Sequence, residues 1–124
     1  MASDGVRLMG PDAFIGDWYG FATNQLGHFM VGLVGFFIVA YIRGSVRWSV
    51  AAVLVGYAAW EVFHISIGGT VADSVNDFTF VAIGLAFGVA AWVASRGAMM
   101  FALVLAMVSL LDGVLERANE RKRK

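Results

Sequence analysis

Apolar residues fall into four long stretches along the chain, and most polar residues gather between and beside them. A helix needs about 20 mainly apolar residues to cross the hydrocarbon core of a bilayer, and each stretch approaches that length. We therefore predict membrane-spanning helices at about residues 18–42, 48–67, 78–94 and 98–115. They form a single membrane domain over residues 1–115, followed by a charged C-terminal tail at 116–124.

The connections between these stretches predict two antiparallel hairpins. The segment "RGSVR" joins the first two stretches and "SRGA" joins the last two, and both are short enough for tight turns. The middle connection, "SIGGTVADSVND", is longer, with Asp73 or Ser74 expected to cap the third helix. The predicted fold is an all-α integral membrane bundle of four transmembrane helices. A three-span alternative, with one bent or surface-lying helix after residue 78, stays open.

Composition supports the membrane class. Hydrophobic residues make up 60% of the 124 residues and charged residues only 15%, which is more apolar material than a soluble domain of this size buries. The chain has no cysteine, so disulfides, thiolate nucleophiles and cysteine-ligated metals are excluded. The N-terminal segment lacks a basic region followed by a cleavable apolar run, so we expect no removed signal peptide.

The orientation of the chain in the membrane, as predicted from its basic residues, depends on whether the terminal segments are counted with the loops. Arg43, Arg47 and Arg96 fall on one side of the membrane, while Arg7 and the basic tail fall on the other. The positive-inside rule then places both termini in the cytoplasm, although a count of the short loops alone reverses this assignment. The tail is too short, and too poor in aromatic residues, to predict nucleic-acid binding.

Polar side chains recur on three of the predicted helices at one membrane face. Two antiparallel hairpins bring the start of the first helix, the end of the second and the start of the third to that face. Their polar residues are three or four positions apart, so they share a helix side. Ionisable groups are costly at membrane depth and usually face the bundle interior, where they mark functional sites. The predicted cluster comprises Asn24, His28, Tyr57, Glu61, His64, Asp73 and Asp77.

The chemistry of this cluster allows three interpretations. Glu61 and His64 form a Glu-x-x-His pair like those of di-iron helix bundles, but the motif occurs once. A single divalent metal held by His28, Glu61, His64 and Asp77 is therefore the metal hypothesis, with Asp73 as a further ligand. Alternatively, Glu61, His64 and Asp77 form an acid–base or proton-relay group. In the third interpretation, Glu61 pairs with a histidine and the polar groups only hold helices together. No residue is assigned a catalytic role, and whether the protein is an enzyme stays open.

Small residues indicate where helices approach each other. Two pairs at four-residue spacing are typical of close backbone packing in membranes. On the first helix, two glycines continue the face that carries His28. We expect ordinary bundle packing at Gly32, Gly35, Ala52, Gly56, Gly84 and Gly88.

Several of these residues also resemble motifs of the VanZ-like family of small polytopic membrane proteins. The segment "QLGHF" at 25–29 is similar to the segment that opens the family's first helix, and Glu61 matches its acidic residue near the end of the second. Asp73 and Asp77 match an Asp followed four residues later by Asn, and a later family glycine matches Gly84. The lysine that often precedes the family's histidine is missing, and Phe80 stands at a glycine position. The resemblance covers about residues 25–88 and implies an envelope-related role in a bacterial inner membrane.

Three functions follow as hypotheses. In the first, the polar cluster binds an ion or an envelope component. In the second, the protein is a phage-type holin or another pore-forming small protein, as its size, tight turns and charged tail suggest. In the third, it is an accessory subunit of a larger membrane complex. A homo-oligomer is compatible with each of them.

Overall fold

The computed structural model describes residues 14–123, which fold into four α-helices without a strand. These are α1 (Trp18–Arg43), α2 (Val46–Ser66), α3 (Val71–Trp92) and α4 (Arg96–Lys122). All four are long and apolar enough to cross a membrane. The predicted all-α bundle of four helices, each able to span a membrane, is confirmed, and the break at residues 93–95 excludes a single bent helix after residue 78. Arg7, which entered the orientation argument, and Lys124 of the tail lie outside the described residues.

The ends of the helices follow from local capping. The Asp17 carboxylate accepts a hydrogen bond from the Gly20 N–H at 2.9 Å, which caps the start of α1. Gly44 ends α1 with a φ of 62°, a left-handed conformation that glycine adopts without steric cost, and its N–H donates to the Ala40 carbonyl. Ser95 caps α4 through its hydroxyl. The hairpin turns are therefore as tight as their sequences predict.

The third helix begins about two turns earlier than expected. It starts at Val71, and its cap is Thr70 rather than Asp73 or Ser74. The Thr70 hydroxyl accepts a hydrogen bond from the Asp73 N–H at 3.2 Å. The polar segment that follows Thr70 contains no proline or glycine, so no residue interrupts the helix once its first turn is capped. What looked like a long polar loop is the polar first part of a helix.

The last helix also differs from its expected extent. It continues beyond residue 115 to Lys122, so most of the segment predicted as a charged tail is helical. Two of its side chains contact the bundle. The Glu120 carboxylate accepts from the Gly16 N–H at 3.1 Å, and the Arg117 guanidinium lies 3.7 Å from the centre of the Phe21 ring. The charged end of the chain is thus attached to the start of α1.

Helices α1 and α3 form the centre of the bundle. Each flanking helix, α2 and α4, contacts both of them, and within residues 14–123 the flanking helices do not contact each other. The central helices run parallel, and their backbones touch at two glycines. A methyl group added at Gly84 would overlap the carbonyl of Phe29, and one added at Gly32 would overlap the carbonyl of Val81. Only glycine permits this approach, because both neighbours are backbone atoms.

The other predicted packing residues divide into two groups. Gly88 faces the Phe36 ring, and Gly35 faces Val53 of α2, so both lie at helix contacts. Ala52 and Gly56 of α2 instead lie on an exposed surface, and a methyl group added at Gly56 would meet no atom within 4 Å. Four-residue spacing alone does not reveal whether a small-residue pair faces another helix or the surroundings.

Candidate functional site

The first part of the site is a buried carboxylate held between the two central helices. Asp77, in the second turn of α3, accepts a hydrogen bond at 2.7 Å from the side-chain amide of Gln25 on α1. Nδ1 of His28, one turn further along α1, lies 3.4 Å from the same carboxylate oxygen. Gln25 and Asp77 are both buried. Asp77 therefore accepts one hydrogen bond from α1 and has an imidazole of the same helix beside it.

The second part is a buried acid–histidine pair on α2. Oε2 of Glu61 lies 3.6 Å from Nδ1 of His64, and each residue is only 6% exposed. Neither oxygen of Glu61 accepts a hydrogen bond, and Nε2 of His64 also has no partner. A buried charged group without hydrogen bonds is costly, because it has lost its water without a replacement. Glu61 is thus much less well satisfied than Asp77.

An aromatic residue lies between these two parts. The ring of Tyr57, on α2, stands edge-on to the His28 ring with 5.8 Å between the ring centres and 73° between their planes. On its other side, Tyr57 lies 6.1 Å from the Phe78 ring of α3. The Tyr57 hydroxyl is buried near the Glu61 carboxylate, one turn further along α2, but the two groups do not reach hydrogen-bonding geometry. Tyr57 therefore adds an unused donor and acceptor to the interface of α1, α2 and α3.

Buried polar atoms without hydrogen bonds are concentrated in this region. Folded proteins satisfy nearly all such atoms, so several of them in one place indicate a position for a bound group or ordered water. Glu61 lies five residues before the end of α2, which is about 7.5 Å along the helix axis and so close to one end of the bundle. The unpartnered atoms are Gln25 Oε1, His28 Nδ1, Tyr57 Oη, Glu61 Oε1 and Oε2, His64 Nε2 and Ser74 Oγ.

Two residues of the predicted cluster lie apart from its buried part. Asn24 is only half-buried on α1. Asp73 lines a separate open cleft of about 360 Å³ between α3 and α4, together with Asp112, Glu116 and Arg117. Within the described residues, Asp73 forms no ion pair with either histidine. The buried cluster therefore consists of Gln25, Tyr57, Glu61, His64, Ser74 and Asp77, with the half-buried His28 attached to it through Asp77.

The carboxylates and imidazoles form two separate pairs. Among residues 14–123, no three histidine, aspartate or glutamate side chains are arranged to hold one metal ion. A metal bound by all four predicted ligands would require the His28–Asp77 pair and the Glu61–His64 pair to move together. The arrangement instead contains two buried carboxylates, of which Asp77 accepts a hydrogen bond and Glu61 accepts none.

Sequence reasoning missed the role of two buried polar residues. Gln25 is not part of the predicted cluster, yet it lies on the buried stripe of α1 with Phe21, Gly32 and Phe36. A single amide on the most apolar face of a spanning helix is the signal that could have revealed it. Ser74 is predicted at a helix cap. Because α3 begins at Val71, Ser74 instead lies within the helix and is buried. The burial of both residues results from packing between helices, which the sequence pattern does not reveal.

No family model, no curated protein and no solved structure matches the chain. The similarity to VanZ-like proteins thus stays a prediction from short motifs. The fold and the site define the class: a small polytopic membrane protein with four spanning helices and a buried polar cluster near one end of the bundle.

Proposed function

We propose that the buried polar cluster is the functional site of this protein and that Glu61 binds a positively charged group there. That group is an ion or the cationic part of an envelope component. The observation that carries the proposal is the contrast between the two buried carboxylates. Each carboxylate has a histidine beside it, but Asp77 also receives a hydrogen bond from Gln25, whereas neither oxygen of Glu61 accepts one.

The cost of the unsatisfied carboxylate supports a binding role. Leaving a buried acceptor without a partner costs about 1–3 kcal/mol, and more for a charged group. A structural role would be served equally by an apolar residue on α2, since the helix already packs against α1 and α3. A positively charged ligand offsets this cost and is attracted by both carboxylates of the cluster.

The other hypotheses make less use of this arrangement. A pore-forming protein needs no buried polar cluster, and an accessory subunit needs a docking face rather than an unsatisfied interior acid. The resemblance to VanZ-like proteins is compatible with an envelope ligand. A divalent metal is a special case of the proposal in which His64 joins Glu61 as a ligand.

Thermal unfolding of the purified, delipidated protein tests the proposal. Probe cations (sodium, zinc and ethylammonium) are added at constant ionic strength, and unfolding is followed by tryptophan fluorescence. A cation present at 100 times its Kd stabilises the folded state by about 2.7 kcal/mol. We expect at least one probe to raise the Tm of the wild type, with the increase lost in Glu61→Gln.

The control replaces a carboxylate outside the cluster. Asp112 lines the cleft between α3 and α4, so Asp112→Asn should keep the wild-type response. An effect restricted to zinc, accompanied by stoichiometric zinc in elemental analysis and lost in His64→Ala, would assign the group as a metal. If no probe raises the Tm, or if Glu61→Gln responds like the wild type, Glu61 is not a cation site and the proposal is wrong.

A further inference from the structure

Glu61 contributes to the lining of a groove between α2 and α3 on the side of the bundle. The groove has a volume of about 270 Å³. Most of its lining is apolar and comes from both helices. Its lining includes Ala58, Val62, Val75, Phe78, Glu61 and Ser74.

The polar part of this lining consists largely of unsatisfied atoms. Both oxygens of Glu61 and the hydroxyl oxygen of Ser74 are buried without a hydrogen-bond partner. These three buried acceptor atoms belong to two residues of the groove lining, which is otherwise mainly apolar. A primary ammonium has three N–H donors and one positive charge, so it matches this set in number and in sign. A trimethylated ammonium carries the same charge but has no donor.

The position of the groove indicates where such a ligand comes from. Val62 and Val75 are 70% and 61% exposed, on the sides of helices that span the membrane, so the groove faces the lipid phase. Glu61 lies about 7.5 Å from the end of α2, a depth at which lipid headgroups and the first part of their chains meet. An amphiphile can therefore place its apolar part along the groove and its polar group on Glu61.

We infer that the groove binds a membrane lipid that carries a primary ammonium, with the ammonium on Glu61 and Ser74 and the apolar part against Val62 and Val75. This inference rests on the proposed function, because it identifies the class of cationic ligand that Glu61 receives. It adds a lateral route of entry from the bilayer and a requirement for N–H donors.

Native mass spectrometry of the full chain tests the inference with an equimolar mixture of phosphatidylethanolamine and phosphatidylcholine that share the same acyl chains. Loss of the charge-assisted hydrogen bonds of one ammonium costs at least about 1.4 kcal/mol, or tenfold in affinity. We expect the wild type to retain the ethanolamine lipid about tenfold over the choline lipid. Glu61→Gln should abolish this preference.

Two exposed valines on α2 provide a matched pair of groove variants. Val62 lines the groove, and Val55 lies seven residues earlier on the same side of the helix, with an exposure of 69%. Val62→Trp should block lipid retention, whereas Val55→Trp should keep it. Both positions are exposed, so neither variant should prevent folding. Val62→Trp should also keep the Tm response to a small soluble cation.

The outcomes separate the inference from the proposed function. If a soluble cation stabilises the protein through Glu61 but neither lipid is preferred, the lipid inference is wrong and the proposed function stands. If the soluble cations also have no effect, both are wrong. A dimer in the same spectra that is lost in Val62→Trp, without lipid adducts, would assign the groove to a second copy of the chain and overturn the lipid inference.

Discussion

The contact between the backbones of α1 and α3 predicts opposite effects for two glycine-to-alanine substitutions. Gly84 is buried where α3 meets the Phe29 carbonyl of α1, and Gly56 lies on the exposed side of α2. In both variants, alanine raises the intrinsic stability of the helix by about 1 kcal/mol. Only Gly84→Ala introduces an overlap with another helix.

The size of the effect follows from the atoms that overlap. Overpacking a core costs about 1–3 kcal/mol, and the upper end applies here because the neighbour is a backbone carbonyl that cannot rotate away. We therefore expect Gly84→Ala to lower the free energy of unfolding by about 2 kcal/mol, after the gain in helix propensity. Gly56→Ala should raise it by about 1 kcal/mol, because the added methyl meets no atom.

Reversible unfolding in mixed micelles, with the fraction of sodium dodecyl sulfate increased stepwise and helicity followed by circular dichroism, measures both variants. Separation of α1 from α3 should also weaken the hydrogen bond from Gln25 to Asp77, which bridges the same two helices. Equal shifts for Gly84→Ala and Gly56→Ala would refute the reasoning, since the central contact would then tolerate a side chain.

Three further predictions follow from single contacts. Gln25→Leu removes the hydrogen bond to Asp77, so we expect a loss of about 1–3 kcal/mol in the same unfolding assay, and a variant as stable as the wild type would contradict it. Thr70→Val removes the cap of α3 and should cost about 1 kcal/mol, whereas Thr79→Val, at an exposed position within the same helix, should change stability by less than about 0.5 kcal/mol. Arg117→Gln removes the cation from the Phe21 ring, and we expect a loss of about 0.5–2 kcal/mol that Arg117→Lys partly restores; equal stability of all three proteins would exclude the contact.

Much of the fold could be predicted because membrane insertion leaves a strong one-dimensional signal. Each span must be about 20 apolar residues long, and the turns "RGSVR" and "SRGA" are too short to connect anything but neighbouring antiparallel helices. The start of α3 was predicted about two turns late, since polar residues at a membrane face look the same whether they form a loop or the first turns of a helix. The Thr70 cap shows that these residues form the first turns of a helix, and this cap is identified only from the backbone conformation and its hydrogen bond.

The polar cluster could be predicted only in part. Helical spacing identified His28, Glu61, His64 and Asp77 as residues directed toward one end of the bundle, because ionisable groups in apolar helices are rare and costly. Spacing along one helix does not determine which residues of different helices meet. The amide of Gln25 on Asp77 is such a contact.

By itself, the sequence determined that the chain forms four helices able to span a membrane, and it indicated acidic and histidine side chains near one end of the bundle. These properties depend on the length and polarity of segments, which are written locally along the chain. Only the tertiary structure decided that Asp77 is satisfied by α1 while Glu61 is left without a hydrogen bond beside a lateral groove. The reason is physical: burial and hydrogen bonding depend on how α1 and α3 approach at Gly32 and Gly84, and that distance is set jointly by both helices.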